Sequence, residues 1–134
     1  MEEIKMEQVK VITKYKTADG AVFDDKKEAE IREKYLELKK KVKELKFING
    51  AYYCGSQADF DLIVDYQAHY SPAYNYNTKQ VEPRYEYKKS DYQGPDWYFL
   101  RHEFCNDGPD EYWVETLSEK KAEWDEFYEQ YELE

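Results

Sequence analysis

Net positive charge, cysteines and long apolar runs are what this chain lacks or has little of, and each shortage removes a class of function. Its 20 Lys and Arg stand against 30 Asp and Glu, a formal net charge of −10. Direct nucleic-acid binding draws affinity from clustered cations that displace counterions from phosphates, so this balance disfavours it. No stretch approaches the ~20 apolar residues of a membrane span. The segment Met1–Lys10 is charged and has no apolar run of the kind a secretory signal carries, which predicts a cytoplasmic protein. Cys54 and Cys105 are the only cysteines, and in that compartment both are expected to stay reduced. There is no phosphate-cradling glycine loop, no dinucleotide fingerprint and no kinase or hydrolase motif. No cofactor is called for, and a non-enzymatic role is the expectation.

What the chain has instead is aromatic side chains. They make up 18% of its 134 residues, enough buriable area to fold a chain whose charge would otherwise suggest disorder. The length suits one domain, residues 1–134, with a core that needs no metal or disulfide. Of 15 tyrosines, ten fall between Tyr52 and Tyr98. A rigid ring with a wet edge suits half-buried strands and also binding surfaces.

Residues Val9–Tyr15 read as a strand that reverses at Asp19-Gly20 into Val22-Phe23. Asp24 or Asp25 can cap the next element, and Glu28, three residues after Asp25, would complete a capping box. That element reads as a helix over about 26–46, in which Ile31, Tyr35, Leu38, Val42 and Leu45 recur at helical spacing. Lysines Lys39, Lys40, Lys41, Lys43 and Lys46 crowd its carboxyl end, where cations complement the helix dipole. Asn49-Gly50 either ends the helix region or turns a tight hairpin between Phe47-Ile48 and Ala51–Tyr53. From Ala58 to Tyr70 apolar and polar residues alternate, which predicts a strand with Asp59, Asp61 and Asp65 on its wet face. A helix beginning at Ser56 is the alternative, because Phe60, Ile63 and Val64 share a helical face. Ser71–Pro83 reads as a functional loop, Arg84–Lys88 as an edge strand, and Trp97–Phe104 as the strongest aromatic strand. Asn106 to Asp110 turns the chain into Tyr112–Val114. Thr116 and Glu119 form a second capping box, opening a last helix over about 118–131 with a stripe of Ala122, Trp124, Phe127, Tyr128, Tyr131 and Leu133. The order predicts an α+β fold, an antiparallel sheet with two main helices on one face.

Three kinds of chemistry can be weighed. Cys54, His69, His102 and Cys105 are the residue types zinc prefers, but His102 and Cys105 are three apart on a predicted strand and point to opposite faces, so no metal site is expected. No glycine-rich elbow flanks either cysteine, as a nucleophile would need. Asp59, Asp61 and Asp65 could line a hydrolytic or cation-binding face, although solvation explains carboxylates this abundant.

The acidity itself is localised. Residues 103–134 hold twelve Asp and Glu against Lys120 and Lys121, a net −10 equal to that of the whole chain. Glu115, Glu119, Glu123, Glu126 and Glu129, with Tyr131 as an aromatic anchor, form a candidate surface for a protein partner that presents a basic groove. Keeping an aromatic-rich protein soluble is the alternative use of the same acids.

The segment Tyr15-Lys-Thr-Ala-Asp19-Gly20-Ala-Val-Phe23, followed by Asp24-Asp25 and Glu28-Ala29, resembles the opening of small accessory proteins of bacteriophages, where a Tyr-x-Thr-x-Asp-Gly-x-x-Phe hairpin precedes an Asp-capped helix. The resemblance covers the first quarter of the chain and implies a setting rather than a site: such proteins inhibit or modify host machinery, including restriction and CRISPR systems, and acidic DNA mimics recur among them. The first expectation is therefore a phage-type inhibitor acting in the host cytoplasm on a defence or nucleic-acid-processing protein. The second is a nucleotide-binding or sequestering protein, with Tyr74, Tyr76 and Tyr92 stacking on a base and Lys79 or Arg84 meeting phosphate.

Overall fold

A computed structural model describes residues 13–131, with side chains as far as Glu129. The fold is α+β. Strands β1 (Tyr15–Lys16) and β2 (Val22–Phe23) form a short hairpin ahead of helix α1 (Lys26–Val42). Asp25 caps α1, its carboxylate accepting from the Lys27 amide at 3.0 Å. The stripe read from the sequence is the buried one: Ile31, Tyr35, Leu38 and Val42 all face inward. Arg32 ties the hairpin to α1, its Nε donating to Asp19 at 2.9 Å. The start of the first predicted strand, Val9 to Ile12, lies outside the described residues.

The helix stops at Val42, short of Lys46. Its end tightens through bonds from Glu44 N to Lys41 O and from Leu45 N to Val42 O, and the Lys46 carbonyl is taken by Tyr53 N at 2.9 Å. Strands β3 (Phe47–Ile48) and β4 (Ala51–Cys54) then pair through Asn49 and Gly50, whose φ values of 51° and 86° are the left-handed pair that a two-residue hairpin requires.

The expected strand over 58–70 is instead helix α2 (Gln57–Tyr70). Ser56 caps it, with Oγ accepting from Asp59 N. The buried set, Phe60, Ile63, Val64 and Ala68, has helical spacing. Ile63, which alternation put on the wet face, is fully buried, whereas Ala58, which alternation put inside, is exposed. Two further expectations change. The loop over 71–83 contains a hairpin of β5 (Ala73–Asn75) and β6 (Gln80–Glu82), closed by Asn75 Oδ1 accepting from Asn77 N at 2.9 Å. Arg84–Lys88 is no edge strand, because its first amide donates to Ala68 O at the end of α2 and Tyr85 reaches back to Asp65.

A single 3₁₀ turn (Lys89–Asp91) precedes β7 (Asp96–Glu103), which pairs with β8 (Glu111–Thr116); helix α3 (Leu117–Tyr131) follows directly. The main sheet is antiparallel in the order β3-β4-β7-β8. Helix α2, with Val42 at the end of α1, covers the face that carries Cys54 and Tyr98, and α1 packs along α2. No helix among the described residues is long and apolar enough to cross a membrane.

Tyr98 is the centre of the core. Its ring is fully buried, 4.8 Å from Phe60 and 5.5 Å from Tyr92. A buried hydroxyl must find partners, and this one donates to Gly94 O at 2.6 Å and accepts from Gln93 N at 2.8 Å. Removing only that hydroxyl, in Tyr98→Phe, leaves two backbone groups unpaired and is expected to cost about 1–3 kcal/mol. Phe60→Ala, which opens a cavity in the same cluster, is expected to cost about 3–5 kcal/mol. Urea unfolding measures both; a Tyr98→Phe protein as stable as the parent would contradict the hydroxyl's role.

Candidate functional site

Helix α3 starts where the core ends. Thr116 lies directly opposite Tyr98 in the β7–β8 register and is itself buried. Its Oγ1 accepts from Glu119 N at 3.1 Å while Glu119 Oε2 accepts from Thr116 N at 3.4 Å, so the expected capping box forms. Glu119 is therefore engaged in starting the helix.

Glu115 is also engaged. It accepts from Trp113 Nε1 and Arg101 Nε, each at 3.1 Å, and Lys120 Nζ stands 3.5 Å away. The Trp113 hydrogen bond, then Arg101 and Lys120, outweigh partial desolvation and hold its carboxyl below the ordinary value. Arg101 and Lys120 also lie over the Phe99 ring, at 4.7 and 4.8 Å. Phe99 alternates with Tyr98 along β7, so this cluster occupies the sheet face turned away from α1 and α2. The proposed array thus loses its first two members to the chain's own structure.

The remaining acids are different. Glu123, Glu126 and Glu129 are exposed, and among the described residues no cation pairs with them. At 3.6 residues per turn Glu126 stands opposite Trp124 and Tyr128, while Glu123 and Glu129 lie about 100° around α3 to either side of those rings. Trp124 and Tyr128 belong to the aromatic stripe read from the sequence. Trp124 is 57% exposed and Tyr128 60%, and their rings pack against each other at 5.8 Å. The helix contacts β7 and β8, and every described side chain from Lys121 to Glu129 is exposed. The side chain of Tyr131, and Leu133 altogether, lie outside what is described. The feature that sequence reasoning missed is this exposed aromatic ridge; the signal available was that the stripe past Ala122 holds only aromatics, with no aliphatic residue before Leu133.

The alternative ligand site does not assemble around its five named residues. Tyr74 and Tyr76 meet edge to face at 5.0 Å, beside a turn in which Lys79 has a φ of 58°. Tyr92 instead packs in the core at 5.6 Å from Phe60, with its hydroxyl directed to Cys54 O. Arg84 pairs with Glu86 at 3.2 Å. Tyr74 alone of the five lines a cleft of about 460 Å³ with Tyr70, His69 and Arg32.

Among the described residues no three His, Cys, Asp or Glu side chains gather to hold a metal. Cys54 sits opposite Asp96 at one end of β7, and Cys105 lies beyond the other end. Burial, with Asp59 nearby, pushes the Cys54 thiol up to about 12, the opposite of what a nucleophile needs. Each of the three aspartates of α2 has a local partner: Asp59 accepts from Gly55 N, Asp61 from Gln57, and Asp65 from Tyr85 and Lys89.

Compared with protein-family models, curated proteins and solved structures, the chain matches none. The assignment of Glu115 to the chain's own cations has a direct readout. Carboxyl NMR titration should place Glu115 below its ordinary 4.5, so that its contribution to stability is present above that pH and lost as pH falls through the lowered value. Arg101→Gln with Lys120→Gln should move it back toward 4.5; an unmoved titration would show that these cations do not hold it.

Proposed function

We propose that this protein is a non-enzymatic, phage-type inhibitor that lays helix α3 on the basic surface of a host defence or nucleic-acid-processing protein. One observation carries the reading: Glu123, Glu126 and Glu129 have no cation partner among the described residues, and Glu123 and Glu129 stand to either side of the exposed rings of Trp124 and Tyr128. These acids work against the helix that bears them. Like charges three residues apart repel by a few tenths of a kcal/mol each. The last turn has no basic residue, so the negative end of the helix dipole is left beside more negative charge. A local cost without structural return is the pattern expected of a binding surface.

The charge density suits imitation of a nucleic acid. Glu123 to Glu129 spans about 9 Å of helix axis, and it holds Glu123, Asp125, Glu126 and Glu129. Duplex DNA of that length carries about five charges. Long-range attraction would speed encounter, while the aromatic ridge, desolvated in the complex, would slow release. The setting comes from the resemblance of the Tyr15–Phe23 hairpin and its Asp-capped helix to phage accessory proteins.

The test is affinity capture from host lysate with the wild-type chain and with Glu123→Lys/Glu126→Lys/Glu129→Lys as parallel baits. A specific partner should elute as salt rises and be absent from the triple variant. Equal recovery of that partner by both baits would contradict the assignment.

A further inference from the structure

A second unsatisfied surface on the same chain is the complement of α3. Lys39, Lys40, Lys43 and Lys46 are all exposed around the end of α1. The ion pairs of α1 use Arg32, Lys34 and Lys41, leaving those four lysines without an acidic partner among the described residues. Lys39 and Lys43 border a groove of about 290 Å³ floored by Leu45, Phe47, Tyr52 and Tyr66. Phe47 is 56% exposed, although it packs on Tyr52 at 4.5 Å, so the groove offers an aromatic floor open to solvent. One surface is thus an aromatic groove edged by free cations, and the other an aromatic ridge edged by free carboxylates.

The two cannot meet within one molecule. Strands β3 and β8 are opposite edges of the sheet, three strand spacings of about 4.8 Å apart. The groove opens on the side of α1 and α2, whereas Lys120 places the start of α3 over Phe99 on the other face. A second copy can supply the match, and a two-fold pair would use each surface twice, the self-complementary arrangement of an isologous dimer.

We propose that the chain self-associates as a reciprocal dimer, with Trp124 and Tyr128 of one copy seated in the Leu45–Phe47–Tyr52 groove of the other. Glu123 and Glu129, on either side of the ridge, face Lys39 and Lys43 across the contact. At physiological ionic strength the Debye length of about 8 Å screens the repulsion between two acidic chains while sparing these short contacts. The dimer buries the same ridge assigned to the host partner, so it is a stored form that partner binding opens. It needs no partner to be observed, and its failure leaves the inhibitor reading standing.

Sedimentation velocity at physiological ionic strength, over a concentration series, tests it. The wild-type chain should shift from monomer to dimer as concentration rises. Lys39→Glu/Lys43→Glu and Glu123→Lys/Glu129→Lys should each remain monomeric, because each sets like charges against each other. An equimolar mixture of the two should dimerise again, since each helix then meets a groove of opposite sign. Circular dichroism verifies folding, and Trp124→Ala/Tyr128→Ala, at exposed positions, is a further variant that should remain monomeric. A wild-type chain that stays monomeric throughout, variants that still dimerise, or a mixture that does not would each overturn the proposal. A monomer whose ridge binds only a foreign protein would do the same.

Discussion

The burial of one tyrosine organises this molecule. Tyr98 fills the space between the main sheet and α2, packs on Phe60, and satisfies its hydroxyl on the backbone of residues 93 and 94. That bond pins the turn entering β7. On one side the ring's strand pairs with β4, and on the other its neighbour is Thr116, the buried residue that caps α3. Core and helix α3 are therefore joined by a single row across the sheet. A change that loosens Tyr98 would reach α3 through Thr116 without altering any residue on its outer face.

Charge is used in two ways along the acidic end. Glu115 and Glu119 are built into the start of α3, the first among Trp113, Arg101 and Lys120, the second in the capping box. Exposed ion pairs of this kind are worth only about 0–1 kcal/mol, so their effect is to direct the helix more than to stabilise it. Beyond Lys121 no cation among the described residues pairs with the carboxylates, and the aromatic side of the helix is exposed. The boundary between structural and available charge falls within one helical turn.

Much of this was legible in local sequence. The Asn49-Gly50 hairpin, the Asp25 cap and the Thr116–Glu119 box each depend on residues a few positions apart, and each forms. Helix α2 was legible only as the alternative, because thirteen residues alternating in polarity satisfy a strand as well as a helix when small residues such as Ala58 and Ala68 count as apolar. The Ser56 cap and the burial of Ile63 decide for the helix. The β5–β6 hairpin escaped notice because its turn is built by an Asn75 side chain inside a polar stretch. Which acids are free was out of reach in principle: Arg101, which engages Glu115, lies on a different strand, and pairing across a sheet is set by register rather than by spacing. Nor could periodicity say whether the stripe of Trp124 and Tyr128 packs inward or stands clear, since both give the same pattern.

If α3 is a helix for binding rather than for folding, those two roles separate in one pair of measurements on Trp124→Ala/Tyr128→Ala. Unfolding free energy and affinity for the captured host partner are compared with wild type. Stability should stay within about 0.5 kcal/mol, as for exposed residues, while affinity should fall by about 2 kcal/mol or more, as for aromatic anchors. A protein several kcal/mol less stable that still binds its partner at full strength would contradict the claim.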